Sequence, residues 1–185
     1  MSDEERPLRL FVALELPAAV RAALAAVGAG ADPDVWRPVA PESLHLTLAF
    51  LGARPPDDVE PIARLLEAEA GTPAPRLALG GALLLPPRGA RVLTVALEDL
   101  DGALGRLQAR FSDGLAAAGL YAPEKRPFRA HVTVARLRPR ALPPRAAGAT
   151  LDPAPFRADR LTLFRSRLHP GGARYSPVAS ARLAG

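Results

Sequence analysis

The stretch Leu44-His45-Leu46-Thr47-Leu48 returns, in near copy, as Ala130-His131-Val132-Thr133-Val134. Each is a short run rich in leucine or β-branched residues, the composition of a strand. Side chains on a strand alternate between its two faces. The frame therefore sets His45 and Thr47 on one face, with Leu44, Leu46 and Leu48 on the other. It divides His131 and Thr133 from Val132 and Val134 in the same way. A turn precedes each motif, and each half of the chain also carries a strand–helix segment. That pattern points to two related lobes facing each other, with one motif from each.

The chain has three histidines, and two of them stand in this frame. A neutral imidazole accepts a proton and an imidazolium donates one, around an unperturbed pKa of ~6.5. Two opposed imidazoles in different protonation states can act together as base and acid. A threonine hydroxyl one strand step away can donate to a phosphoryl oxygen and stabilise charge in the transition state. Its β-branch holds that hydroxyl in few rotamers. The rival use of these residues is a three-histidine metal site from His45, His131 and His169. No carboxylate or further histidine stands at close ligand spacing to either motif, and His169 precedes Pro170-Gly171-Gly172, a loop by composition, so we expect no metal.

The remaining pattern mixes strands and helices without strict alternation, which favours an α+β fold with antiparallel sheets. Residues 8–16 read as a strand, and 18–27 as an alanine-rich helix begun at Pro17 and ended at Gly28. Residues 35–39 are extended, 41–43 a turn, and the first motif strand runs to Leu51 and stops at Gly52. Pro55-Pro56-Asp57-Asp58 opens a helix with an aspartate cap, and Val59, Ile62, Leu65 and Leu66 keep helical spacing until the break at 71–75. Residues 77–85 and 92–97 form a hairpin around Pro86-Pro87-Arg88-Gly89. Leu100, Leu104, Leu107, Phe111 and Leu115 mark one helix face, closed by Gly119. A loop at 121–128 leads to the second motif strand, which ends near Leu137; a loop rich in Pro, Ala and Arg covers 138–155. Strands at 161–164 and 175–179 flank His169-Pro170-Gly171-Gly172. No linker is long or polar enough to divide the chain, so one two-lobed domain over 1–185 is expected.

Without cysteine, disulfides and thiolate metal sites are excluded. The first five residues are acidic and lack an apolar signal core, and the most apolar stretch, 77–85, is far short of the ~20 residues of a membrane helix. We expect a soluble, cytoplasmic protein. The net charge of +5 is carried by arginine, with Lys125 the lone lysine. Arginine's planar fork suits phosphate, so a nucleotide or nucleic-acid partner is permitted.

Four stretches carry a family resemblance: 10–17; 36–39 through 45–52; Arg126-Pro127-Phe128 with 131–136; and 161–166 with 172–175. In this order, over nearly the whole chain, they resemble the two-histidine (2H) phosphoesterases, in the branch of the RNA 2′,3′-cyclic phosphodiesterases, also called 2′-5′ RNA ligases. The resemblance implies a bilobal α+β fold whose two antiparallel sheets form a V-shaped groove with helices outside. It implies hydrolysis of RNA or nucleotide 2′,3′-cyclic phosphate ends to 2′-phosphates, with possible reversible 2′-5′ ligation, by a monomer without metal or cofactor. His45 would be the proton donor and His131 the acceptor, with Thr47 and Thr133 on the phosphate. Arg136 would contact substrate, although strict alternation puts it on the face opposite His131, so a strand end or bulge is required. Phe11 and Phe50 are candidates for base stacking. Val134 stands where leucine is usual, a conservative change on the core side. The alternatives are another 2H activity, on a small cyclic nucleotide or ADP-ribose cyclic phosphate, and an RNA-end-binding protein without turnover.

Overall fold

Two antiparallel sheets receive the two motif strands, one each. The computed structural model describes residues 6–144, 151–152, 154–169 and 172–185. In chain order the elements are β1 (Leu8–Glu15), α1 (Ala18–Ala29), β2 (Trp36–Pro38), β3 (His45–Arg54), α2 (Val59–Ala68), β4 (Arg76–Leu85) and β5 (Val92–Asp99). Then come α3 (Ala103–Ala117), β6 (His131–Leu137), β7 (Phe156–Arg157), β8 (Arg160–His169) and β9 (Gly172–Arg182). One sheet has the order β3-β1-β8-β9 and the other β2-β6-β5-β4-β7. This is the α+β class with two antiparallel sheets that the pattern called for. The sheets are not the two halves of the sequence, however. β2 crosses over to complete the second sheet, and β8 and β9 return to complete the first.

The apolar faces of the motif strands meet the helices and each other. Leu46, Val132 and Val134 are fully buried, as are Leu10 and Leu14 on β1 and Leu161 on β8. α2 contributes Ile62 and Leu66, and α3 contributes Leu104, Leu107, Phe111 and Leu115. Each such side chain contributes roughly 1.5–3 kcal/mol by leaving water. α1 lies on β2 and β6. A Cβ on Gly28 would stand 2.5 Å from the Val134 carbonyl oxygen, so only glycine allows the helix to approach that closely.

Several boundaries differ from the sequence-based expectation. α1 does not stop at Gly28 but runs through it to Ala29, because that glycine serves packing rather than termination. β3 does not stop at Gly52: this residue, at φ 71°, turns the strand at a bulge and pairing resumes to Arg54. Asp58 does not cap α2; a 3-10 turn at Pro56–Asp58 leads in, and the Asp58 carboxylate pairs with Arg54 at 2.6 Å. Leu100 lies before α3 and is exposed. His169 is not in a loop but ends β8, opposite Gly172. The acidic first five residues, the 145–150 part of the expected loop with Pro153, and the Pro170-Gly171 turn lie outside the described residues. Among the described residues no helix is long and apolar enough to cross a membrane.

Candidate active site

Every candidate residue named from the sequence lines one groove between the sheets: Phe11, His45, Thr47 and Phe50 from the first, His131, Thr133 and Arg136 from the second. The groove has a volume of about 470 Å³, within the range of small-ligand sites. Two matched bulges build it. In β3, Leu48 has no partner between the Ala13–Thr47 and Val12–Ala49 pairs. In β6, Val134 has none between the Thr94–Thr133 and Leu93–Ala135 pairs. Both sit three residues after the histidine. An extra residue inverts the alternation beyond it. Phe50 and Arg136, each five residues after its histidine, are thereby returned to the groove face.

The two imidazoles are held alike. His45 Nδ1 lies 2.7 Å from the Ser43 carbonyl oxygen, and His131 Nδ1 lies 2.7 Å from that of Arg129. A carbonyl only accepts, so each Nδ1 carries the proton and donates it. Nε2 is then the nitrogen left for chemistry on both rings. The Ser43 carbonyl is itself fixed by the 3-10 turn at Pro41–Ser43. Thr47 and Thr133 are partly buried, and among the described residues neither hydroxyl is taken by a hydrogen bond.

The surroundings of the rings differ. His45 stacks on Phe11 at 4.7 Å between centroids, with Tyr175 edge-on at 5.2 Å. Burial lowers its pKa from 6.5 to about 4; the Ser43 hydrogen bond opposes this, and the positive charge of Arg136 adds to it. Phe11 is 2% exposed and packed among His45, Phe164 and Tyr175, so it offers no open face to a base. Phe50 is 46% exposed, with the Arg9 guanidinium 4.8 Å from its ring centre.

His169, considered from the sequence only as a metal ligand, also lines the groove, as do Arg9, Arg37, Ser166 and Tyr175, which were not picked out from the sequence. Arg9 could have been, since it stands one alternation step before Phe11 on the same strand. The others depend on pairings between distant strands. His169 shares the groove with the two motif histidines, yet among the described residues no group of three His, Cys, Asp or Glu side chains is placed to hold a metal ion. The groove lining carries three arginines and no carboxylate, so it is suited to an anion.

Comparison with known proteins bears on the family and the fold. The 2′-5′ RNA ligase superfamily matches residues 32–170. The chain is 33% identical to the RNA 2′,3′-cyclic phosphodiesterase of Thermus thermophilus, over 96% of this chain and 91% of that protein. It is 30% identical to the RNA 2′,3′-cyclic phosphodiesterase of Escherichia coli, over 93% and 94%. Among solved structures, a Thermus thermophilus protein superposes with a TM-score of 0.80 at 32% identity, covering 94% of this chain and 97% of its own. E. coli LigT complexed with 3′-AMP superposes with a TM-score of 0.77 at 28% identity, covering 97% and 99%.

Proposed function

This chain belongs to the 2′-5′ RNA ligase superfamily, and on that premise we propose that it is an RNA 2′,3′-cyclic phosphodiesterase that opens terminal cyclic phosphates to 2′-phosphates. The observation that carries the proposal is the pair of imidazoles, one from each sheet, both tied at Nδ1 to a backbone carbonyl and both facing one arginine-lined groove. The relatives named for this activity cover nearly the whole chain, which supports the same reaction here.

In the proposed reaction His131 Nε2 takes a proton from water as the oxygen attacks phosphorus. His45 Nε2 gives a proton to the departing ribose 3′-oxygen. Attacking and leaving oxygens lie on opposite sides of phosphorus in such a displacement, which suits a base and an acid from opposite walls. Thr47 and Thr133 donate to the non-bridging oxygens, and Arg136 offsets their charge. Phe11 positions the His45 ring, and Phe50 offers the exposed face for a base. The residues present supply both proton transfers and the charge stabilisation, so the reaction as written calls for no metal or cofactor. By microscopic reversibility the same groups could join a cyclic end to a 5′-hydroxyl in a 2′-5′ linkage. One chain supplies both walls, so we propose a single two-lobed unit acting as a monomer, in the cytoplasm.

The depressed pKa of His45 bears on its role. An imidazole neutral at pH 7 must take up a proton with the substrate before it can donate one, and the anionic phosphate arriving beside it favours that uptake. The same observation favours a second assignment, with His45 as base and His131 as acid. Two measurements test the reading. A cyclic-ended oligonucleotide is digested and the phosphate position read by phosphorus NMR: a 2′-phosphate product shows that the 3′-oxygen leaves, and a predominantly 3′-phosphate product would overturn that step. A substrate with sulfur in place of the 3′-oxygen, whose leaving thiolate needs no proton, then separates the roles. It should restore turnover to His45→Ala if His45 is the acid, and to His131→Ala instead if the roles are exchanged.

A further inference from the structure

The wall beyond Arg136 carries a second guanidinium that the chemistry above does not use. Arg37 on β2 is the ladder partner of Arg136 on β6, so both side chains leave the sheet on the same face, and both line the groove. Like charges directly opposite on neighbouring strands cost stability. Both side chains are exposed, so water screens part of that repulsion, but the groove lining has no carboxylate, and neither arginine forms an ion pair among the described residues. Two guanidiniums side by side without a protein counter-charge are placed to receive an anion from outside.

The third groove arginine is differently engaged, because the Arg9 guanidinium lies over the Phe50 ring in a cation–π contact. On the second sheet His131 and Arg136 lie on β6, and Arg37 lies on the neighbouring edge strand β2. Arg136 shares the groove with both histidines and both threonines, and so in the proposed reaction stands at the reacting phosphate. Arg37 is one strand further out. Its guanidinium reaches the hairpin, 4.0 Å from where a side chain on Gly172 would begin. One strand spacing, about 4.8 Å, together with the length of two arginine side chains is enough to span a ribose.

Resting on the function proposed above, we propose that Arg37 is a second phosphate contact, which holds the phosphate on the 5′-oxygen of the nucleotide bearing the cyclic end. The site then distinguishes an RNA end, which carries that phosphate in its chain, from a bare nucleoside 2′,3′-cyclic phosphate. Arginine's fork can donate two parallel hydrogen bonds to such a group.

The test measures kcat/KM for three substrates: a nucleoside 2′,3′-cyclic phosphate, the same compound with a 5′-monophosphate, and a dinucleotide with a cyclic end. Wild type, Arg37→Gln and Arg37→Lys are compared as full-length chains at several salt concentrations. We expect both substrates with a 5′-oxygen phosphate to exceed the bare nucleoside by about tenfold, the size of one charge-assisted contact. Arg37→Gln should remove most of that preference and lower the salt slope for the dinucleotide by about 0.7. Arg37→Lys, a point charge without the fork, should keep part of it. Equal rates on all three substrates with wild type, or an equal loss on all three in Arg37→Gln, would overturn the proposal. So would a gain confined to the dinucleotide, because the upstream nucleoside would then be what is read. If no substrate were hydrolysed at all, the function itself would fall, an outcome distinct from hydrolysis without preference.

Discussion

His45 makes the protein sensitive to acid in a way that can be worked out from its surroundings. Its folded pKa is about 4 against 6.5 for the free side chain, chiefly because the ring is buried. Between those two values the unfolded chain binds more protons at this residue than the folded one. Stability therefore rises with pH through the window and is lost as pH falls from 6.5 towards 4. At pH 5 the folded ring is still neutral while the unfolded one is almost fully charged. The loss relative to pH 7.5 is then about 2 kcal/mol, growing to about 3 kcal/mol at pH 4. For a chain of this size, the loss at pH 5 lowers Tm by roughly 4–8 °C.

Other groups titrate as well, so the test is a difference. Wild type and His45→Gln are unfolded by urea at pH 7.5, 6 and 5 in buffers without phosphate. Glutamine does not titrate and can still donate to the Ser43 carbonyl. Wild type should lose about 2 kcal/mol more than His45→Gln between pH 7.5 and 5. Equal losses would refute the argument, since they would mean that the buried ring keeps an ordinary proton affinity. A linked measurement tests the chemistry. Sulfate, which does not titrate in this range, should bind wild type more tightly as pH falls, and His45→Gln with a shallower dependence. An identical pH dependence in the two proteins would mean that anion binding does not draw a proton onto His45.

His45→Ala and His131→Ala should each lower kcat by about 10²–10⁴, the span of general acid–base catalysis, with far-UV circular dichroism unchanged; near-normal hydrolysis by folded His131→Ala would end the proposed mechanism. Hydrolysis should survive exhaustive chelation, and activity that vanished with a removed metal and returned on its re-addition would reverse that expectation. Gly28→Ala should destabilise the protein by about 1–3 kcal/mol through the clash with the Val134 carbonyl, as overpacked cores do. Because Val134 is the bulge that aims Arg136, the same variant should also raise KM, and unchanged thermal stability and KM would show that the helix can simply move aside.

The candidate site was legible because the pattern that defines it is local. His-x-Thr on a strand fixes which face the groups share, and the repeat says that the fold uses the arrangement twice. The alternation rule also located the one difficulty, Arg136, and the bulge it demanded is the one at Val134. What stayed hidden depends on partners distant in sequence. That β2 joins β6, placing Arg37 beside Arg136, is decided by sheet assembly. Gly28 and Gly52 read locally as stop signals. One instead admits a helix to a carbonyl and the other turns a strand that continues. Glycine marks an unusual backbone demand, and the sequence does not say whether that demand is termination, bending or close approach.

The matched bulges also explain how a repeated motif can give two unlike histidines. Position for position the two frames are the same: imidazole, hydroxyl, bulge, then one side chain returned to the groove. At that returned position the first frame has Phe50 and the second has Arg136. Burial is the main cause of the lowered proton affinity of His45, and the arginine's charge across the groove adds to it. The neighbouring strands add to the difference, since β1 brings Phe11 beneath His45 and β9 brings Tyr175 against its edge. A symmetric pair of imidazoles would have equal proton affinities and no reason to divide the roles of acid and base. Here the frame supplies two equivalent imidazoles, each bonded through Nδ1, and the substitutions around it break the equivalence. A proton on one nitrogen and a lone pair on the other are then favoured once an anion lies between them.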